Sequence, residues 1–503
     1  MTKPDFITPS YGEFKRLARQ GNLIPLTREF LADIETPVTG FLKVARRENA
    51  SFLLESVEHG EKIGRYSFVG SHPLEILAAK EDEDITAKLE KRMREIRLAG
   101  KEKLPSFCGG FVGYLGYENV AHYEKIRLHK KKGVECPHAV FFMPSRLLIF
   151  DHLNRTLKIV VFTKKEGNLG SCYRKACADL DEMTETLLRP LKHAATLHGL
   201  EPASETPRPE KSNMTRADFE SKINRVKKYI RQGDCIQVVF SQRFEAGENV
   251  NCFEVYRTLR SVNPSPYMFF FRFRESVLIG SSPELLVKKY GTQAEIRPIA
   301  GTRPRGADER KDQLLERDLK ASRKELAEHL MLVDLGRNDL GRVCRYNSVR
   351  VEEFARIERY SHVMHLVSVV TGQLKSGKDA FHLLRAAFPA GTVTGAPKVR
   401  AMQIIDELEE TKRGPYAGCL GYFSLNGDMD MCIMIRTIFV HKNRAYVQAG
   451  AGIVYDSRPS AEYLETVNKA KALFRAIALS EKRLLKTRGR QRSGQSTHRS
   501  GKS

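Results

Sequence analysis

Tryptophan is missing altogether from the 503 residues, and no two of the nine cysteines are spaced as Cys-x-x-Cys. An odd number of scattered, singly placed cysteines does not make a disulfide framework and points to reduced thiols in a cytoplasm. A long apolar run is missing too. Ala139-Val-Phe-Phe-Met is interrupted by Pro144 and Arg146, and nothing approaches the roughly 20 apolar residues that a membrane helix needs. Met1-Thr-Lys-Pro-Asp is followed by no apolar stretch, so no secretory leader is expected.

What is present reads as soluble and globular, with 41% hydrophobic and 29% charged residues. The length suits two to three structural units, or one enzyme-sized domain with insertions. The formal charge of +23 raises the question of nucleic acid. Residues 481–503 carry eight Lys or Arg against Glu481 alone, in a Ser/Gly/Gln-rich setting. Such a tail is expected to be disordered. No nucleic-acid-reading module accompanies the charge, so binding nucleic acid is not expected to be the main function.

Along residues 1–190 short strand patterns alternate with turns. Phe52–Ser56 and Gly64–Gly70 read as a strand pair about His59-Gly60, Ile85–Leu98 as an exposed helix, and Arg146–Phe162 as two strands about Asp151–Asn154. Phe107-Cys-Gly-Gly-Phe-Val-Gly-Tyr-Leu-Gly-Tyr117 lacks the spacing of a dinucleotide fingerprint, and its glycines are expected to serve close backbone packing. Prolines and charges gather over 191–213, the expected linker to a second region, 214–480. There Thr215 is placed to cap a helix with apolar Phe219, Ile223, Val226 and Ile230, and strands are expected at Ile236–Phe244, Tyr267–Phe273 and Val277–Ser281. Strand groups and helices without regular βαβ spacing argue for the α+β class.

The helix expected from Lys324 carries Leu326, Leu330, Met331, Val333 and Leu335 at helical spacing, with Gly336 as its stop. Glu325 and Glu328 share one face. A solvated edge and a metal-facing pair both fit that pattern. A later helical segment places Glu462, Glu465 and Lys469 on one face as well, and a salt-bridged helix pair remains open beside a metal site.

Eight strings then occur in order: Gln237-Val-Val-Phe-Ser-Gln-Arg243, Gly280-Ser-Ser-Pro-Glu284, Arg297-Pro-Ile-Ala-Gly-Thr-Arg-Pro-Arg-Gly306, the Lys324 helix, Ser361-His-Val-Met-His-Leu366, Gly391-Thr-Val-Thr-Gly-Ala-Pro-Lys398, Ala449-Gly-Ala-Gly-Ile453 and Glu462-Tyr-Leu-Glu-Thr-Val-Asn-Lys469. Together they resemble the chorismate-utilising enzymes, over about 220–475 closely and more diffusely before that. The resemblance implies two packed, roughly orthogonal antiparallel β-sheets surrounded by helices. It implies Mg²⁺ held by Glu328 and Glu465, with Glu325 and Glu462 as supporting partners. It assigns Glu284 as proton donor to the departing ring hydroxyl and His365 as a catalytic residue, with Gln237 and Lys469 completing the catalytic set. Arg436 and Tyr416 would meet a substrate carboxylate, a match for a guanidinium fork. Gly301, Thr302, Gly450, Ala451 and Gly452 would line the substrate as glycine-bearing turns. A donor Glu must stay protonated near neutrality, so Glu284 should titrate high.

Two positions narrow the reaction. Relatives that add water to chorismate carry a Lys where this chain has Gln237, and those that form 4-amino-4-deoxychorismate commonly carry one where it has Ala300. With neither amine present, the resemblance implies that external ammonia attacks and that pyruvate then leaves, giving anthranilate. Formation of 4-amino-4-deoxychorismate stays open as the alternative, and a non-catalytic tryptophan sensor lies further off. Leu54-Glu-Ser56, Arg65-Tyr-Ser67 and Asn263-Pro-Ser-Pro-Tyr-Met268 resemble the family's feedback site for L-tryptophan, implying Ser56, Pro266, Tyr267, Met268 and Cys432 around the inhibitor. A chain free of tryptophan suits an enzyme that must be made when tryptophan is scarce. Gly418-Cys-Leu-Gly421 superficially matches a glutaminase elbow, but strand-like sequence flanks it and no His/Glu pair follows. A separate glutamine amidotransferase subunit is therefore expected as the ammonia source, in a hetero-oligomer.

Overall fold

The computed structural model describes residues 7–56, 64–100, 105–191, 211–360 and 363–496, with 483–496 by backbone alone. The His59-Gly60 turn, residues 192–210, Ser361 and His362, and 497–503 lie outside the described residues.

Alternation with a period of two builds the strands. In Tyr267–Phe273, Phe269, Phe271 and Phe273 join one core, while Met268 and Phe270 join another on the opposite side. Twenty strands form one hydrogen-bonded antiparallel network that branches at a long pair, Tyr66–Ala79 with Ala139–Asp151. From one end of that pair a wing runs outward through Ala50–Glu55, Tyr267–Phe273, Ser276–Ser282, Thr437–His441, Arg444–Ile453 and Gln237–Glu248. From the other end a second wing runs through Gly110–Leu115, Cys419–Ser424, Met429–Ile433, Leu285–Tyr290, Gln293–Ile296 and Val363–Gln373, with Ile299–Pro304 and Arg350–Arg359 against the last. The register of the long pair shifts between Pro73 and Glu75, opposite Pro144 and Met143. Proline has no N–H for a ladder, so the pairing is interrupted where one wing hands over to the other.

The wings pack on each other through aromatic side chains, as in Tyr114 with Phe271 at 6.0 Å and Phe52 with Phe142 at 5.6 Å between ring centroids. Helices cover the outside, where Phe41 stacks on Phe253 at 4.6 Å. The α+β class and the antiparallel sheet wrapped by helices are as expected. Strands from before the 192–210 segment pair with strands after it in both wings, Ala50–Glu55 with Tyr267–Phe273 and Gly110–Leu115 with Cys419–Ser424. The glycines of 107–117 do serve close packing: a Cβ on Gly113 would lie 1.9 Å from the Val140 carbonyl oxygen.

Three expectations need correction. The helix of Glu325 and Glu328 does not stop at Gly336 but runs Arg323–Gly341. Gly336 is buried inside the helix, where a glycine costs only about 1 kcal/mol, too little to end a helix whose other residues pack on the sheet. The helix at Ile85 ends at Glu95, because Leu98 bridges to Leu23 instead. Of the tail expected to be disordered, residues 481–496 continue the helix Pro459–Ser496, which extends without a new nucleus. The end of the expected linker, Lys211–Ser212, is a short strand paired with Glu245 and Phe244.

Candidate active site

Where Arg444–Ile453 pairs with Gln237–Glu248, alternation points Gly450 and Gly452 to one side and buries the Ala451 methyl on the other, among Phe219, Val238 and Phe240. The two glycines are thus strand positions rather than turns, and only their backbone and empty side-chain space face the site. A Cβ on Gly452 would lie 2.6 Å from Gln237 Nε2 and 3.8 Å from Glu328 Oε1, and one on Gly450 would lie 2.7 Å from the Tyr416 hydroxyl. Glycine at both places keeps that space open.

Gln237 Nε2 donates to Glu328 Oε1 at 3.1 Å, while its own Oε1 is buried without a partner among the described residues. Burial holds the Glu328 carboxyl above its ordinary range, Gln237 pulls it back, and the charges of Glu325 and Glu465 push it up again. Glu462 is raised in the same way, by burial first and by Glu465 among its neighbours. Carboxylates from Arg323–Gly341 and Pro459–Ser496 therefore lie near one another. Their nearest countercharges are Lys469, whose Nζ lies 2.7 Å from Glu465 and donates to the Gly450 carbonyl at 2.9 Å, and Arg303, 3.1 Å from Glu325. Glu328 and Glu462, half-buried and raised, with Glu325 and Glu465 beside them, offer the carboxylate oxygens that a hard divalent cation takes.

On the facing wall the ladder between Ile299–Pro304 and Val363–Gln373 slips between Ala300 and Thr302, leaving Gly301 at φ 63°. Gly301 is a bulge inside a strand, not a free turn, and a Cβ there would stand 3.2 Å from Glu325 Oε2. His365 pairs across from Thr302, and its Nδ1 lies 3.1 Å from the Gly301 carbonyl and 3.0 Å from Thr302 Oγ1. A carbonyl only accepts, so Nδ1 carries the proton and Nε2 is the free acceptor. Burial is the first cause that lowers its pKa, with the Arg436 charge adding to it, so the imidazole is neutral at neutral pH.

Glu284 follows the strand Ser276–Ser282 and is 7% exposed. Burial pushes its carboxyl up to about 8, against the pull of the Thr392 hydroxyl and the Lys469 charge. Arg436 sits at φ 50°, and its Nη1 donates only to the Lys469 carbonyl, at 3.3 Å. Among the described residues no carboxylate pairs with it. Burial lowers its pKa, while Tyr416 and Glu465 raise it. Tyr416 is pushed up to about 12 by burial, so it stays a phenol. All the expected catalytic, metal and substrate positions thus link into one ring of neighbours, with the Ala451 side chain as the exception. Thr392 beside Glu284 was not singled out from the sequence, although it lies in one of the quoted strings.

A second cavity, of about 700 Å³, opens between the wings and is lined by Ser56, Pro266, Tyr267, Met268 and Cys432 together with Tyr66 and Asp430. The Ser56 hydroxyl is buried without a partner among the described residues, and Tyr267 donates to Asp430 at 3.0 Å. Met268 lines the cavity and also belongs to the helix-covered core. Cys419 of the elbow-like string lies inside the strand Cys419–Ser424 at 0% exposure, and burial raises its thiol well above the usual range. It is no nucleophile.

A family model described as chorismate binding enzyme matches residues 49–475. The chain belongs to the chorismate-binding enzymes. Among relatives of this family, anthranilate synthase component 1 of Acetivibrio thermocellus is 43% identical over 93% of this chain and 98% of its own length. That of Pseudomonas putida is 45% identical over 93% and 98%. The crystal structure of anthranilate synthase component I from Streptococcus pneumoniae TIGR4 superposes with a TM-score of 0.71 at 34% identity, covering 89% of this chain and 99% of that one. The menaquinone-specific isochorismate synthase of Escherichia coli, 20% identical with a TM-score of 0.67, shares the chorismate-binding fold. No helix among the described residues is long and apolar enough to cross a membrane.

Proposed function

We propose that this chain is the chorismate-aminating subunit of an anthranilate synthase, converting chorismate and ammonia to anthranilate, pyruvate and water. The observation that carries this reading is the state of the amines in the site. Gln237 and Ala300 stand where relatives carry lysines, and Lys469 is engaged by Glu465 and by the Gly450 carbonyl. With no amine at either of those two positions and Lys469 held, the nitrogen comes from outside.

Arg436, with the Tyr416 phenol beside it, takes the substrate carboxylate that is not held by a metal, a charge-assisted match for a guanidinium. Glu328 and Glu465, supported by Glu325 and Glu462, would hold Mg²⁺, which would neutralise the other carboxylate and draw electron density from the ring. Glu284, protonated because it is buried, gives its proton to the 4-hydroxyl, which leaves as water while ammonia forms the bond to C2. The ammonium formed at C2 gives up one proton to solvent; His365, with Nε2 free to accept, takes the proton from C2 as the enolpyruvyl C–O bond breaks, and the departing enolpyruvate takes up a proton on carbon to become pyruvate. Gly301, Gly450 and Gly452 keep the backbone close to the substrate.

A glutamine amidotransferase subunit supplies the ammonia in a hetero-oligomer, and the chain works in the cytoplasm. L-Tryptophan fills the cavity between the wings, where the unpaired Ser56 hydroxyl and the Pro266 and Tyr267 wall suit an amino acid with an indole. Isotope labelling tests the chemistry. With ¹⁵N-ammonium and ¹⁸O-water the aromatic product should carry ¹⁵N and no ¹⁸O; ¹⁸O entering the ring would mean that water is the nucleophile and would refute the reading.

A further inference from the structure

We propose that Arg413, which does not reach the substrate space, is the positioning residue that holds three walls of this active site in register. The inference rests on the functional reading above only for the identity of those walls. Arg413 is 3% exposed and lies on the loop between the helix Lys398–Leu408 and the strand Cys419–Ser424. Its guanidinium grips Glu409 in a two-pronged pair, Nε to Oε2 at 2.9 Å and Nη2 to Oε1 at 2.7 Å. The remaining donors go to backbone carbonyls, Nη1 to Val393 at 2.7 Å and Nη2 to Val239 at 2.8 Å. Its carbon also lies over two rings, 4.7 Å from the centroid of Tyr117 and 5.5 Å from that of Tyr416.

Each of these partners adjoins a residue of the site. Val393 ends the short turn Gly391–Val393, which packs on the helix of Glu328 and on the strand of Gly450 and Gly452. Val239 pairs with Gly452, two positions along the strand from Gln237. Tyr416 stands over Gly450. Glu409 extends the clamp, since its Oε1 also accepts from the Ser241 backbone N–H and hydroxyl, both at 2.8 Å, on the same strand as Gln237. A planar fork with fixed donor directions can satisfy the carboxylate and both carbonyls at once, whereas an ammonium on a flexible stem cannot. Removing the charge would also strand a buried carboxylate, so a charge-conserving change isolates geometry from folding.

The test compares Arg413→Lys with Arg28→Lys in the full chain, using chorismate, Mg²⁺ and ammonium. Arg28 is a control of similar burial, 5% exposed and bonded to Thr184 and Asp181 away from the site. Arg413→Lys should lower kcat about 30-fold and raise the KM for chorismate several-fold, given that misplacement by about 1 Å can reduce turnover 10²-fold. Tryptophan binding in the distal cavity should be unchanged, and Arg28→Lys should leave kcat and KM within twofold. If folded Arg413→Lys, normalised to its tryptophan-binding fraction, keeps both constants within twofold of the parent, the proposal is wrong and the residue is merely structural. Should Arg413→Lys not fold, Glu409→Gln, which keeps the shape and loses one prong, should lower kcat at least fivefold; an unchanged kcat there overturns the proposal as well. The same ratios apply to whatever product the parent makes from chorismate, so a parent that makes something other than anthranilate defeats the functional reading and not this one.

Discussion

Replacing Glu284 by Gln should slow the enzyme and stabilise it, in both cases because of burial. The side chain is 7% exposed, and its carboxyl is raised from 4.5 to about 8. A group whose acid form is favoured by the fold holds its proton while the unfolded chain releases it, so stability falls as pH rises from 4.5 to about 8. At about 1.4 kcal/mol per pH unit the gap amounts to roughly 5 kcal/mol of destabilisation above pH 8, as an upper bound. Gln cannot ionise, so denaturation midpoints of parent and variant should agree near pH 4.5 and diverge towards pH 9 in favour of the variant. Turnover moves the other way. Loss of a general acid lowers kcat about 10²- to 10⁴-fold, roughly 3–5 kcal/mol of barrier. With free ammonia held constant across the profile, the parent's kcat should fall above about pH 8 as Glu284 loses its proton, and that alkaline limb should vanish in the variant. A variant within threefold of parental kcat, or one whose midpoint does not gain on the parent at high pH, would refute the assignment.

Other changes probe the remaining parts. Glu328→Gln should raise the Mg²⁺ concentration needed for half-maximal activity at least tenfold, by titration with chorismate saturating, because an amide oxygen is a weaker donor to a hard cation. In Gly452→Ala the new methyl would stand 2.6 Å from Gln237 Nε2; about a tenfold loss of kcat/KM is expected, with a thermal midpoint shifted by only a few degrees, and steady-state kinetics beside a melt would show it. Tyr267→Ala should raise the tryptophan concentration for half inhibition at least tenfold while leaving uninhibited kcat within twofold, as read from inhibition curves. Changing the cavity between the wings removes wall area from the inhibitor and nothing from the ring of Glu284, His365 and Arg436.

The sequence made the site legible in parts and its assembly less so. Helical spacing put Glu325 with Glu328 and Glu462 with Lys469, and the structure keeps both faces and brings them together. The strand Tyr267–Phe273 was readable to the residue because its two faces are both apolar and bounded by turn signals. The strand read from Arg146 starts earlier, at Ala139, and passes through Pro144. A proline inside a strand reads as a break, yet here it lies at the register shift where the long pair passes between wings, with Pro73 opposite. Gly336 misled because a single buried glycine costs a helix only about 1 kcal/mol, and the helix runs through it. The bond from Gln237 to Glu328 spans 91 positions and leaves no local pattern. Arg413 and Glu409 look like a helix-end ion pair at ordinary spacing, and nothing short of the fold shows that both are buried behind Tyr416.

The central claim is most directly tested by the products. Purified chain, chorismate, Mg²⁺ and ammonium, with no added lyase, should yield fluorescent anthranilate and pyruvate in equal molar amounts. Accumulation of 4-amino-4-deoxychorismate or isochorismate without pyruvate release would contradict it.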